Sequence, residues 1–235
     1  MGKSTMSVRN AEPDGSELFR FIQVAEHGTS VARPAAIKAS VPDATLYKLS
    51  AIAGFGSGLV LLVNAAKRSG IIASTDLTQL LAPLAEIMAL GLVVGLFLAF
   101  GRRAGLFGLI AFVAHFIALS SLEGVEVLIN LVFTKLPIET ITELRTGPLG
   151  LVLTVTSLLF LFSAVAFVIA LFMGKAVPRG PLALYVAGVV PIALRTFVPE
   201  WALDLGLVSL AAAIFWLSGA LWNHAQNERG TNRLT

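Results

Sequence analysis

Five side chains in this sequence sit where ionisable groups are rare: Glu86, Glu123, Glu126, Arg195 and His115. Each interrupts or borders a long uncharged run. Glu86 is the only charged residue between Asp76 and Arg102, His115 lies inside an otherwise uncharged Ala104–Leu122, and Arg195 ends the run from Gly180 to Leu194. An ionisable group in hydrocarbon is expensive and normally faces protein or water with a partner. Three carboxylates against one guanidinium leave surplus negative charge, a property of sites that take a cation or a proton, and Arg195 is the natural partner for Glu86, Glu123 or Glu126. Two other readings use the same residues. The charges can lie at an interface and reach water along their stems, or a buried ion pair can fix helix register.

His115 stands apart. It is eleven residues from Glu126, about 16 Å of helix, too far for one metal ion to join them. A lone histidine on an apolar helix reads as a hydrogen-bonding partner to a neighbouring helix. The sequence has no HExxH, no second histidine within its apolar runs and no lysine in the last one, so metalloprotease, bis-histidine cytochrome and rhodopsin chemistry lack their minimum residues. The absence of cysteine removes thiolate metal sites and thiol nucleophiles. No catalytic residue, metal ligand set or cofactor is assigned, and the reading leans away from an enzyme. Gly56-Ser57-Gly58 is similar to the serine motif of rhomboid-type intramembrane proteases, but Phe55 replaces a needed glycine and no late apolar run contains a histidine.

The elements that position these residues follow from composition. The chain has 235 residues, 56% hydrophobic and 13% charged, against roughly 45–50% and 25% in soluble domains, and its mean hydropathy is +0.84. A spanning helix needs about 20 predominantly apolar residues to cross ~30 Å of hydrocarbon. Six such segments are expected, at 46–66, 79–101, 104–128, 148–174, 181–198 and 203–223. The fold class is therefore an all-α, polytopic bundle of six transmembrane helices in the domain 45–224. A polar tail, 1–44, precedes it and a second, 225–235, follows. Pro148, Pro181 and Pro199 fall near segment ends, where a missing N–H matters least, and Asp204 stands where a helix start wants an N-cap. Trp201 and Trp222 mark the two ends of the last segment.

Orientation follows from the basic residues. With six crossings, 12 of the 17 Lys and Arg residues share the side of both termini, which predicts amino and carboxyl ends in the cytoplasm and a location in the inner or plasma membrane. On that topology Glu86, Glu123, Glu126 and Arg195 gather in the outer half of the bilayer. Residues 136–145 form a short surface helix between the third and fourth crossings. Gly54 with Gly58, and Gly91 with Gly95, make small-residue faces for close helix packing, within one chain or between two copies.

In the amino tail, residues 16–27 fit a short amphipathic helix. The stretch 21–49, with Val24-Ala25-Glu26-His27-Gly28-Thr29, resembles the helix-turn-helix of bacterial repressors of the LysR or IclR type, a likeness of under thirty residues. The resemblance implies DNA contact. Pro34 falls where its second helix should run, and over residues 1–49 five acids nearly cancel six bases, so no nucleic-acid partner is assigned. A tail against the membrane surface or a partner protein fits better. The sequence thus reads as a non-catalytic subunit or partner-binding scaffold of a membrane assembly. The alternative is a small solute, ion or proton transporter or channel built on the Glu/Arg group.

Overall fold

The computed structural model describes residues 43–231, with side chains through Glu228. The tail readings at 16–27 and over most of 21–49 lie outside the described residues. The described chain is helical, with no strand: α1 (Asp43–Arg68), α2 (Asp76–Leu81), α3 (Leu84–Ala99), α4 (Gly105–Val127), α5 (Ile138–Thr146), α6 (Pro148–Met173), α7 (Arg179–Ala193) and α8 (Glu200–Thr231). Five helical segments are long and apolar enough to cross a membrane, Asp43–Arg68, Asp76–Ala99, Gly101–Lys135, Pro148–Met173 and Glu200–Glu228. The protein is accordingly an integral membrane protein by length and composition. Large apolar side chains such as Leu59, Leu106, Leu151 and Phe162 point outward, more than half exposed, as lipid-facing residues do.

The long helices run in alternating directions. Tyr47, Phe100 and His224 meet at one end, with ring centroids 5.3 Å (Tyr47–His224) and 5.1 Å (Phe100–His224) apart. We call this the tail end. Lys67, Arg68, Asn130, Glu200 and Asp204 meet at the other, here the Arg195 end.

Three boundaries differ from the sequence expectation, each for a local reason. The second segment is interrupted at Ala82–Pro83, where proline cannot donate a helical hydrogen bond, so α2 and α3 are separate and Glu86 falls in the first turn of α3. The last helix starts at Glu200, which moves Asp204 past the N-cap position and into the second turn; helix also continues to Thr231 through the expected tail. The fifth segment ends at Ala193 rather than 198. Its 15 residues extend only about 22 Å, short of the ~30 Å of a hydrocarbon core.

Close packing holds α1, α3 and α8 together. A Cβ on Gly54 would stand 2.1 Å from Ser218 Oγ and 2.8 Å from Leu92, and one on Gly95 would stand 2.4 Å from Ser50. One on Gly58 would be 3.1 Å from Phe215, and one on Gly91 3.1 Å from Ala53. Both small-residue faces thus meet neighbours in the same chain. Gly188 and Gly206 do the same for α7 and α8: a Cβ at Gly188 would lie 2.6 Å from the backbone nitrogen of Leu210.

Candidate functional site

Four local features build the Arg195 end. Gly70, at φ 76°, takes the left-handed conformation that closes α1 and leaves Lys67 and Arg68 in its last turn. Beyond Val127, α4 widens into a π-helical turn, Leu128–Val132, and then a 3₁₀ turn, Phe133–Lys135. That continuation carries Asn130 over Glu126. Asn130 Nδ2 donates to the Glu126 carboxylate (2.8 Å) and to its backbone carbonyl (2.9 Å), while its Oδ1 accepts from Lys67 Nζ (2.8 Å). Pro191, in the last turn of α7, precedes the turn 194–197 that sets Arg195 off the helix axis. On α8, Glu200 and Asp204 both pair with Arg68, the Asp204 contact being 3.5 Å from Nε.

Because α7 stops short, the bundle is not filled here. A cavity of about 110 Å³ lies among α1, α4, α7 and α8, lined by Asn64, Lys67, Asn130 and Leu207 among others. A second, of about 420 Å³, lies among α4, α6 and the 194–197 turn, lined by Arg145, Leu153, Ser157 and Phe160 among others. Glu126, Arg195, Arg68, Ile129, Ile192 and Leu203 line both. The larger volume falls within the roughly 300–1,000 Å³ of small-molecule sites. Towards the tail end the interior closes: the space beside Leu92, Leu96, Leu171 and Leu217 is about 10 Å³ and almost wholly apolar.

The five ionisable side chains singled out in the sequence separate into three settings. Glu126 and Arg195 share the chambers, and the Glu126 charge acts on Arg195, yet no ion pair joins them. Among the described residues the ion pairs are Arg68 with Glu200 and Asp204, Lys135 with Asp76, and His224 with Glu228. Arg195 is half-buried and makes no hydrogen bond among the described residues. Glu86 and Glu123 line neither chamber. Glu86 interacts electrostatically with Glu126 and Glu123 from behind the wall, and its Oε2 is buried without a hydrogen-bond partner among the described residues. The neighbouring Ala85 carbonyl accepts from Ser57 Oγ at 2.8 Å, tying α3 to α1.

His115 belongs to another region. It is fully buried at the crossing of α4, α6 and α7, stacked near Phe160 and Phe167 with centroids 5.9 and 5.3 Å away. Its Nε2 lies 2.8 Å from Tyr185 Oη and its Nδ1 3.2 Å from Ser163 Oγ. Ser163 donates its hydroxyl proton to the Phe160 carbonyl (3.2 Å). Its oxygen is thereby left to accept from Nδ1–H, and Tyr185 donates to Nε2. This tautomer satisfies both ring nitrogens and both hydroxyl protons.

Sequence reasoning missed Lys67, Arg68, Asn130 and Arg145 as lining residues, having placed the first three in loops and Arg145 on the short surface helix 136–145. One signal was available: Glu126 and Asn130 stand at i, i+4, a pair that faces together on a helix that continues past 128. With these residues the chamber lining carries four basic side chains (Lys67, Arg68, Arg145, Arg195) and two acidic ones (Glu126, Glu200). The surplus in the lining is positive, opposite to the balance expected from Glu86, Glu123, Glu126 and Arg195 alone. No group of three or more His, Asp or Glu side chains suited to a metal ion occurs among the described residues.

Compared with known proteins, the chain matches no family model, no curated protein and no solved structure. Function must therefore be read from the geometry.

Proposed function

We propose that the protein is a six-crossing membrane protein, with α7 as a short fifth crossing, that binds a small solute in the joined chambers at the Arg195 end. With both termini in the cytoplasm, the chambers open toward the outside. The observation that carries the reading is the pair of adjoining cavities with mixed polar and apolar linings that share Glu126 and Arg195, above an interior that is packed and mostly apolar. A closed floor suits a binding protein or one conformation of a carrier better than an open channel. The scaffold reading loses one support, because Gly54, Gly58, Gly91 and Gly95 pack against side chains of their own chain. It keeps the amino tail as a docking element.

The chain has no cysteine, so single introduced thiols report water access directly. Ser157→Cys and Thr196→Cys should react with a membrane-impermeant thiol reagent added outside intact cells, while Ser163→Cys and Ser218→Cys stay unmodified. Reaction from the cytoplasmic side only would reverse the proposed orientation. Failure of both chamber thiols to react from either side would remove the solute-binding reading. Purification in mild detergent with a stoichiometric second protein would return the scaffold reading.

A further inference from the structure

Arg195 has no direct partner in the chambers: the Glu126 and Glu200 charges act on it, but neither forms an ion pair with it. Arg68 has Glu200 and Asp204, Lys67 has Asn130, and Arg145 lies 5.5 Å from the ring centroid of Phe133. Arg195 offers five N–H donors in a planar fork and meets no acceptor among the described residues. A half-buried guanidinium in a membrane protein normally has a partner, and its geometry matches a carboxylate or phosphate gripped by two parallel hydrogen bonds. Arg145 lines the same chamber and adds a second positive charge.

The rest of the larger chamber is not built for a small hydrated ion. Below the two arginines its wall is mainly Leu122, Val125, Leu153 and Phe160, contributed by α4 and α6, with the Thr154 and Ser157 hydroxyls among them. At its mouth Leu158 is 41% and Phe197 85% exposed, on the flank where Leu151, Val155 and Phe162 of α6 also face outward. The chamber therefore runs from an end of net positive charge, Arg68, Arg145 and Arg195 against Glu126 and Glu200, to a mainly apolar wall, and its rim belongs to the surface that lipid covers.

We propose that Arg195, assisted by Arg145, holds the carboxylate or phosphate head of an amphiphilic anion whose apolar chain lies along Leu122, Val125, Leu153 and Phe160. This rests on the solute-binding reading and names the class of solute. Such a molecule can arrive as a membrane lipid through the rim or as a soluble surfactant-like acid from the water. Both present the same head and chain.

The test uses the full chain carrying Ser157→Cys, reconstituted in nanodiscs of uncharged phosphatidylcholine. The rate of modification by an uncharged maleimide is measured with decyl phosphate, with decanoate, with inorganic phosphate and with decyltrimethylammonium. Thr142→Cys on α5 serves as the control for effects on the reagent. Decyl phosphate and decanoate should slow Ser157→Cys by about tenfold at saturation, and Arg195→Gln should raise the concentration required by about 10- to 100-fold, the loss expected for charge-assisted hydrogen bonds. Arg195→Lys, which keeps charge but not the fork, should fall between. If Arg195→Gln does not yield a monodisperse protein, Arg145→Gln provides the second variant, with a smaller shift in the same direction. A double-chain phosphatidic acid in the nanodisc that protects as well as decyl phosphate identifies the lipid source; protection by the single-chain anions alone identifies the soluble one. Protection by inorganic phosphate equal to that by decyl phosphate, or by the ammonium amphiphile, overturns the proposal. So does a thiol that reacts freely in all conditions, an outcome that leaves the water-filled chamber standing. A thiol that never reacts defeats the solute-binding reading itself.

Discussion

Two regions of this bundle gather polar side chains, and they treat them in opposite ways. Around His115 every donor and acceptor has a partner within the chain: Tyr185, His115, Ser163 and the Phe160 carbonyl form one closed sequence of hydrogen bonds between stacked rings. At the Arg195 end the polar groups exceed their partners, and the space around them is open. In a low-dielectric interior a satisfied network specifies one arrangement, whereas an unsatisfied group invites a ligand or water. The first region thus locks α4, α6 and α7, and the second is available to bind. The cost of removing a side chain should follow this division.

The largest loss is expected at the lock. His115→Ala removes a fully buried ring and leaves Ser163 and Tyr185 without their partner. A destabilisation of about 3–5 kcal/mol is expected from large-to-small core substitutions, measured by denaturant or thermal unfolding in detergent. Tyr185→Phe keeps the packing and orphans only Nε2, for about 1–3 kcal/mol. If His115→Ala unfolds at the same temperature as the parent protein, the two regions do not differ in the way argued. Gly188→Ala should match Tyr185→Phe in size: its Cβ would meet the Leu210 nitrogen at 2.6 Å and the Gly206 carbonyl at 2.8 Å. Backbone atoms yield less easily than side chains, so overpacking should cost about 1–3 kcal/mol. It should also disturb the chambers, since Gly206 in turn faces Pro191 at the foot of the Arg195 turn.

These contrasts also explain what could be read from the sequence. Helical class and the approximate segments were legible because uncharged runs of membrane length leave few alternatives. The candidate charges were visible for the same reason, each standing out against an apolar background. Which of them share space was not visible. That depends on where helices stop, and the stops came from local details: Pro83 dividing α2 from α3, the π-helical turn after Val127, and α7 ending at Ala193. Lys67 and Asn130 looked like loop residues until the extension of α4 joined them to Glu126. The partnering of His115 was expressed only as a residue type, because Ser163 and Tyr185 lie 48 and 70 positions away.

The link between Asn130 and its partners should show an intermediate effect. Asn130→Leu removes the amide that joins Lys67 to Glu126 and should cost about 0.5–1.5 kcal/mol, with Glu126 freed to turn toward Arg195. A folded Asn130→Leu variant that no longer binds an anionic amphiphile would indicate that Glu126 then occupies the guanidinium, which would sharpen the view that Arg195 is held open by Asn130.

The smallest effect belongs to the rim. Glu200 is 82% exposed at its side chain, and its pair with Arg68 exchanges water for protein contacts on both partners. Exposed ion pairs contribute about 0–1 kcal/mol and are screened by salt. Glu200→Gln should therefore lower the melting temperature slightly at low ionic strength and not measurably at about 1 M salt. Asp204→Asn should cost more than Glu200→Gln, because Asp204 is 27% exposed, its Oδ1 is buried, and Arg68 Nε at 3.5 Å is its ion-pair partner among the described residues. A Glu200→Gln loss above about 2 kcal/mol, insensitive to salt, would mean that the Arg195 end is as dry as the His115 lock. The chambers would then be packing defects rather than a place for solute. The reverse ordering of the two variants would place the effective partner of Arg68 at the surface.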